Sequence, residues 1–136
     1  MSEAPLPAEV RMRDFAIELS DRPGELARVA TALSRYGVNI KSLAGLAVGG
    51  RVLVRILADD AEAARSALTG AGIAFEESEV VKVLLENRAG ELAAVTNKLA
   101  EARVNLRAIY LTGIVDDLVE LAVVSTDQDK AKAALE

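Results

Sequence analysis

Asp21-Arg22-Pro23-Gly24-Glu25-Leu26-Ala27 and Asn87-Arg88-Ala89-Gly90-Glu91-Leu92-Ala93 are one stretch written twice, each behind an alternating apolar segment. Over residues 21–43 and 87–109, nine of 23 positions are identical, ending in Val38-Asn39 and Val104-Asn105. Five of the nine are apolar positions that any repeated core demands, so the glycine and asparagine pairs are the informative ones. The chain is an internal duplication. Its 136 residues divide into two modules of minimal size more naturally than they form one domain.

Upstream of the repeated loop, Phe15, Ile17 and Leu19 alternate with polar or small residues, as do Val81, Val83 and Leu85, so each copy opens with a half-buried strand. Within the loop, Asp21 or Asn87 suits a helix cap and Pro23 its first turn. Glu25 and Glu91 suit the positive end of the helix dipole. Leu26, Val29, Ala30 and Leu33, and then Leu92, Val95, Thr96 and Leu99, mark one helical face in each copy. Gly37 suits the end of the first helix. Arg103 stands at the corresponding position, so the second helix is expected to end with different geometry.

Val38-Asn39-Ile40 and Val104-Asn105-Leu106 lead into second strands. Gly49-Gly50 then turns the chain into Val52, Val54 and Ile56, and Asp116-Asp117 turns it into Val119, Leu121 and Val123. The correspondence of 39 with 105 becomes 52 with 119, which predicts one extra residue in the second hairpin. Asp60 is placed to cap a helix through Ala64, Ala67 and Leu68 that Gly70 and Gly72 end, and residues 73–77 read as a fourth strand. Asp127 is placed to cap a last helix through Ala131, Ala134 and Leu135, with nothing after Glu136 to match 73–77. The expected organisation is a flexible arm over 1–11, a first module over 12–78 and a second over 79–136 that lacks or truncates its last strand.

Composition narrows the chemistry. The chain has neither histidine nor cysteine, and so lacks the side chain that titrates near neutral pH, the thiolate nucleophile and the commonest soft metal ligands. Any catalysis would fall to carboxylates, lysines or hydroxyls, and no enzyme activity is expected. A net charge of −5 with scattered basic residues, and only two tyrosines and two phenylalanines, argue against a nucleic-acid partner. Asp59-Asp60 and Asp116-Asp117 sit where a turn or cap belongs, so neither a metal nor a cofactor is expected. No apolar run approaches the roughly 18 to 20 residues that span a bilayer, and the opening residues do not read as a secretory signal. No membrane partner and a cytoplasmic location are the expectations.

Strand, Asp-Arg-Pro-Gly-Glu-Leu, amphipathic helix and Gly-Val-Asn-Ile, in a βαββαβ order, resemble the ACT domain, the regulatory amino-acid-binding module of many biosynthetic enzymes. The resemblance covers residues 12 to 136 in two copies. It implies an α+β chain of two ferredoxin-like modules side by side, each an antiparallel sheet with helices on one face. It also implies pairing of modules through their second strands, with a small ligand held at the seam by the loop before the first helix.

Physical chemistry supports such a site. A free amino acid offers a carboxylate, which suits the exposed N–H groups at a helix start, around Gly24 to Ala27 and Gly90 to Ala93. Asp21 has the charge to pair with its ammonium group, whereas Asn87 offers only a neutral carbonyl oxygen. The candidate ligand-binding residues are therefore Asp21, Pro23, Gly24, Glu25, Leu26 and Asn39, with Asn87, Ala89, Gly90, Glu91, Leu92 and Asn105 in the second copy. Each has a plainer alternative. Asp21 and Asn87 serve equally as caps, Asn39 and Asn105 as turn residues, and Glu25 and Glu91 as stabilisers of the first helical turn. Ala89 in place of Pro23 leaves the second loop less preorganised.

Two functions remain open. One is a non-catalytic sensor that binds a free amino acid between modules and signals through its own oligomer or a metabolic enzyme. The other is a regulatory subunit resembling the small subunit of acetolactate synthase, which acts by protein interaction alone. A homodimer is expected in either case, since a module short of one strand leaves a sheet edge and an apolar flank to cover.

Overall fold

The computed structural model describes residues 12–136, so the arm expected over 1–11 lies outside the described residues. Contacts divide the chain into two compact units, one running to Ser78 and the next starting at Glu79. Each is an antiparallel sheet with two helices packed on one face, and the chain is α+β with two such ferredoxin-like modules. No helix among the described residues is long and apolar enough to cross a membrane.

In the first unit the strand alternation puts Phe15, Ile17 and Leu19 on the buried face of β1 (Arg13–Ser20). The chain continues through α1 (Glu25–Arg35), β2 (Ile40–Val48), β3 (Arg51–Ala58), α2 (Ala61–Gly70) and β4 (Glu76–Ser78). The sheet order is β2-β3-β1-β4, so β1 has a neighbour on each side. Val29, Ala32 and Leu33 of α1 and Ala61, Ala64, Ala67 and Leu68 of α2 close over Phe15, Ile17, Val54 and Ile56. Burying a side chain such as Leu33 contributes roughly 1.5–3 kcal/mol.

That helical face differs from the expected one. Ala30 lies off it and is exposed, while Leu26, one turn before Val29, sits in the first turn of the helix where the core no longer covers it. Phe75 meets Phe15 with ring centroids 5.5 Å apart. Glu77 takes two bonds from Arg65, at 2.7 and 2.9 Å, and an ion pair from Arg13, which ties α2, β4 and β1 together. The fourth strand thus starts later than expected, at Glu76, because Ile73 and Phe75 are spent on the core.

The second unit runs β5 (Val81–Glu86), α3 (Glu91–Glu101), β6 (Leu106–Val115), β7 (Leu118–Ser125) and α4 (Gln128–Leu135). Its sheet has the order β5-β7-β6, with no counterpart of β4 among the described residues. The Gln128 side chain at the start of α4 donates to the Glu79 carbonyl at 2.6 Å and accepts from the Ser125 amide at 2.9 Å, which fixes the entry to β5. Asp60 and Asp127 cap α2 and α4 as expected, each carboxylate accepting an amide proton three residues on, at 3.1 Å.

Two sequence expectations fail here. The second hairpin holds no extra residue: Val115 pairs with Leu118 across Asp116-Asp117, just as Val48 pairs with Arg51 across Gly49-Gly50. The additional residue is Thr112, a bulge inside β6 where Leu111 faces Leu121 and Gly113 faces Glu120. Its hydroxyl, which bonds the Glu120 carbonyl at 3.2 Å and the Glu120 carboxylate at 2.6 Å, holds the bulge. Nor does α3 end differently from α1. Arg103 adopts φ 59° where Gly37 has 68°, and both copies close with the same pair of bonds. Val38 and Val104 donate to the carbonyls of Leu33 and Leu99, and residues 37 and 103 donate to those of Ser34 and Ala100. Burial of Val104 and Leu99 demands that closure whichever residue stands at 103.

Candidate functional site

The loop after β1 and the loop after β5 are built by the same backbone bonds. Asp21 donates its amide to the Gly50 carbonyl at 3.1 Å and Asn87 donates to Asp117 at 2.7 Å, so each loop is pinned to the hairpin of its own module. Arg22 and Arg88 turn back onto Ser20 and Glu86, at 2.9 and 2.8 Å. Gly24 and Gly90 then occupy the left-handed region, with φ 89° and 91°, as the residues immediately before α1 and α3. Such a backbone suits glycine, and a glycine cap has no side chain to accept the first amides of the helix. The N–H groups of Leu26 and Ala27, and of Leu92 and Ala93, are thus left without a capping side chain.

This geometry removes one alternative reading of the loop. Asp21 and Asn87 lie three residues before the cap glycines and do not cap the helices, and Pro23 precedes α1 instead of entering its first turn. The physical reason is the turn at residues 21–24, whose left-handed exit at glycine starts the helix later than the spacing of Asp and Pro suggests. Asp21 is exposed, and among the described residues no hydrogen bond or ion pair engages its carboxylate.

Glu25 is differently placed. Its carboxylate accepts from Arg22 at 3.3 Å and from Arg28 at 3.2 Å, and those guanidinium bonds, Arg22 first, hold it below the usual carboxylate range. Glu91 takes Arg88 at 2.9 Å, and Arg88 also meets Glu86 at 2.7 Å. Position 94 is Ala where the first copy has Arg28, so the first loop balances two cations against Asp21 and Glu25 while the second sets one cation against Glu86 and Glu91. Leu26 and Leu92 are exposed beside these charges.

Asn39 and Asn105 do not lie near the glycine of their own module. The register places Ser20 opposite Arg51 and Arg13 opposite Ala58, and the Asn39 carbonyl accepts from the amide of Asp59, just past Ala58, at 3.3 Å. Loop and asparagine therefore stand at opposite ends of the sheet, roughly 23 Å of strand apart at 3.3 Å per residue. The second unit repeats this, with Asn87 bonded to Asp117 and Asn105 to Thr126. Asp59, whose carboxylate also accepts the Asn39 amide at 3.2 Å, was legible only as half of an acidic pair. Arg28 had no sequence signal beyond its place four residues after Gly24.

Residues 15–67 match the family model of the ACT domain. No curated protein matches the sequence. Among solved structures, a protein from Bacteroides thetaiotaomicron superposes with a TM-score of 0.80 at 22% identity, over 90% of this chain and 85% of the other. The ligand-free regulatory subunit of aspartate kinase from Thermus thermophilus superposes at 0.65, with 22% identity over 91% of this chain and 87% of the other. Aspartate kinase from Synechocystis gives 0.63 and 20%, over 99% of this chain and 26% of the enzyme. At these identities the likeness is one of fold.

Proposed function

We propose, from the ACT domain in residues 15–67, that this chain is a non-catalytic regulatory protein of the cytoplasm that binds a free amino acid and signals through its own homodimer or a metabolic enzyme. The observation that carries this reading is the repeated loop, a left-handed glycine before a helix whose first amides have no capping side chain, on a chain without histidine or cysteine. Gly24 and Gly90 let a carboxylate approach the amides of Leu26 and Leu92. Asp21 takes the ammonium group, and Asn87 does so more weakly. Pro23 and Ala89 set the stiffness of each loop. Glu25 and Glu91 act on the ligand through the arginines they hold. Leu26 and Leu92 supply apolar contact. Asn39 and Asn105, at the far ends of their own sheets, serve only a site shared with another module. The Thermus protein of the same fold is a regulatory subunit, in keeping with this role.

Thermal shift against the twenty amino acids tests it. A ligand at one hundred times its dissociation constant stabilises the fold by about 2.7 kcal/mol. A folded sample that responds to none of them removes amino-acid sensing. One observation favours the second reading, a regulatory subunit that works by protein interaction alone. Leu46 and Val48 on β2 and Ile114 and Val115 on β6 are large apolar side chains exposed on edge strands. A stoichiometric enzyme partner on co-purification, with no amino-acid response, selects that reading.

A further inference from the structure

β1 and β5 are counterparts, yet they sit differently in their sheets. β1 lies between β3 and β4, whereas among the described residues β5 has β7 on one side and no strand on the other. A strand edge of this kind presents backbone donors and acceptors to any chain that can align with it. Soluble proteins usually place charge on such a strand, and the first copy carries a charge at the matching position even on its interior strand, Glu18, which pairs with Arg51. The corresponding residue of β5 is Leu84, which is 63% exposed. It is flanked on the same face by Lys82 and Glu86, where the first copy has Ala16 and Ser20.

We infer that the edge of β5 turned away from β7 pairs antiparallel with β5 of a second copy of this chain, centred on Leu84. The homodimer is part of the reading above; the surface and register are new, and neither depends on a bound amino acid. Residues directly opposite in an antiparallel pair must point to the same face, which restricts the two-fold centre to a residue position. Centring on Leu84 sets Leu84 against its copy and Lys82 against Glu86 of the partner subunit, twice over, while Val83 faces Leu85 and extends the apolar side of the sheet. Centring on Val83 instead sets Lys82 against a leucine, and centring on Leu85 does the same to Glu86. Only the Leu84 register joins opposite charges and covers the exposed leucine. Lys82 makes no ion pair within its own chain among the described residues, and Glu86 meets only the exposed Arg88, so both can reach across.

The test uses the full chain without ligand. Sedimentation velocity of the wild type gives a dimer. Lys82→Glu and Glu86→Lys each place two like-charge pairs across the two-fold, which raises the dissociation constant about tenfold or more. Mixed, the two variants form a heterodimer with both pairs restored, near wild-type affinity. Because the chain has no cysteine, Leu84→Cys introduces a single thiol opposite its copy, and mild oxidation yields a disulfide-linked dimer. Ala100→Cys, exposed on α3 and on no sheet edge, does not cross-link. A monomeric wild type, a dimer indifferent to both charge variants, or a folded Leu84→Cys protein that fails to cross-link overturns the proposal. Amino-acid thermal shifts, read separately on the charge variants, report on ligand binding alone.

Discussion

Arg103 holds the left-handed backbone conformation, at φ 59°, that its counterpart Gly37 holds at 68°. A residue with a Cβ pays roughly 1–2 kcal/mol for that conformation, and glycine does not. Arg103→Gly is therefore expected to stabilise the second unit by up to about 1 kcal/mol, the gain reduced by the freedom glycine adds to the unfolded chain. Gly37→Ala is expected to destabilise the first unit by about 1 kcal/mol, with no steric clash involved, since nothing lies within 4 Å of the added carbon. Urea unfolding of both variants measures the pair. Destabilisation by Arg103→Gly contradicts the account.

Thr112 is predicted to be dispensable as a residue and useful as a hydroxyl. Thr112→Val loses its bonds to Glu120 and costs about 1 kcal/mol. Deleting Thr112 makes the pairing of β6 with β7 continuous and leaves the unit folded. Deleting Asp116, by contrast, destroys the two-residue turn, and the second unit loses its cooperative unfolding transition. Denaturation curves followed by circular dichroism separate the two deletions.

Glu77 gives a pH signature. Its carboxyl is held below the usual range, chiefly by the Arg65 bonds, so its ionised form is favoured in the folded state. The stability it contributes is full above the unfolded carboxylate value of about 4.3 and is lost as pH falls through the lower folded value. Glu77→Gln is expected to cost about 1 kcal/mol at pH 7, a figure kept small because Arg65 is half exposed. The difference from wild type should shrink steadily below about pH 4.3. A difference that stays constant into acid places the effect in packing.

Asp21→Asn gives the first loop the residue that the second copy carries. Because the Asp21 carboxylate has no partner among the described residues, stability should move by no more than about 0.5 kcal/mol. Affinity for the responsive amino acid should fall about tenfold as a charge-assisted bond becomes a neutral one. Calorimetric titration of both proteins reads this, and unchanged affinity removes Asp21 from the site.

The candidate site was legible in its residue types and only partly in its geometry. Gly24 and Gly90 stood out because a repeated core has no need of glycine, and the structure shows what they do, which is to turn the chain left-handed into a helix. Asp21 and Pro23 misled, because each favours a helix start at several neighbouring positions and nothing local separates them. Pinning of the loop to the hairpin, by Asp21 on Gly50 and Asn87 on Asp117, selects the start at residues 25 and 91.

Sequence by itself determined what short-range physics determines: the duplication, the strand alternation of Phe15, Ile17 and Leu19, the Gly49-Gly50 hairpin and the aspartate caps at 60 and 127. These depend on contacts within four or so residues, so the pattern carries the answer. Only the tertiary structure decided where the extra residue of the second copy went, since counting positions cannot distinguish a longer turn from a bulge, and the bond from Thr112 to Glu120 belongs to two strands. It also decided that Arg103 would copy Gly37. A local preference of about 1 kcal/mol yields there to the burial of Leu99 and Val104, which is worth more.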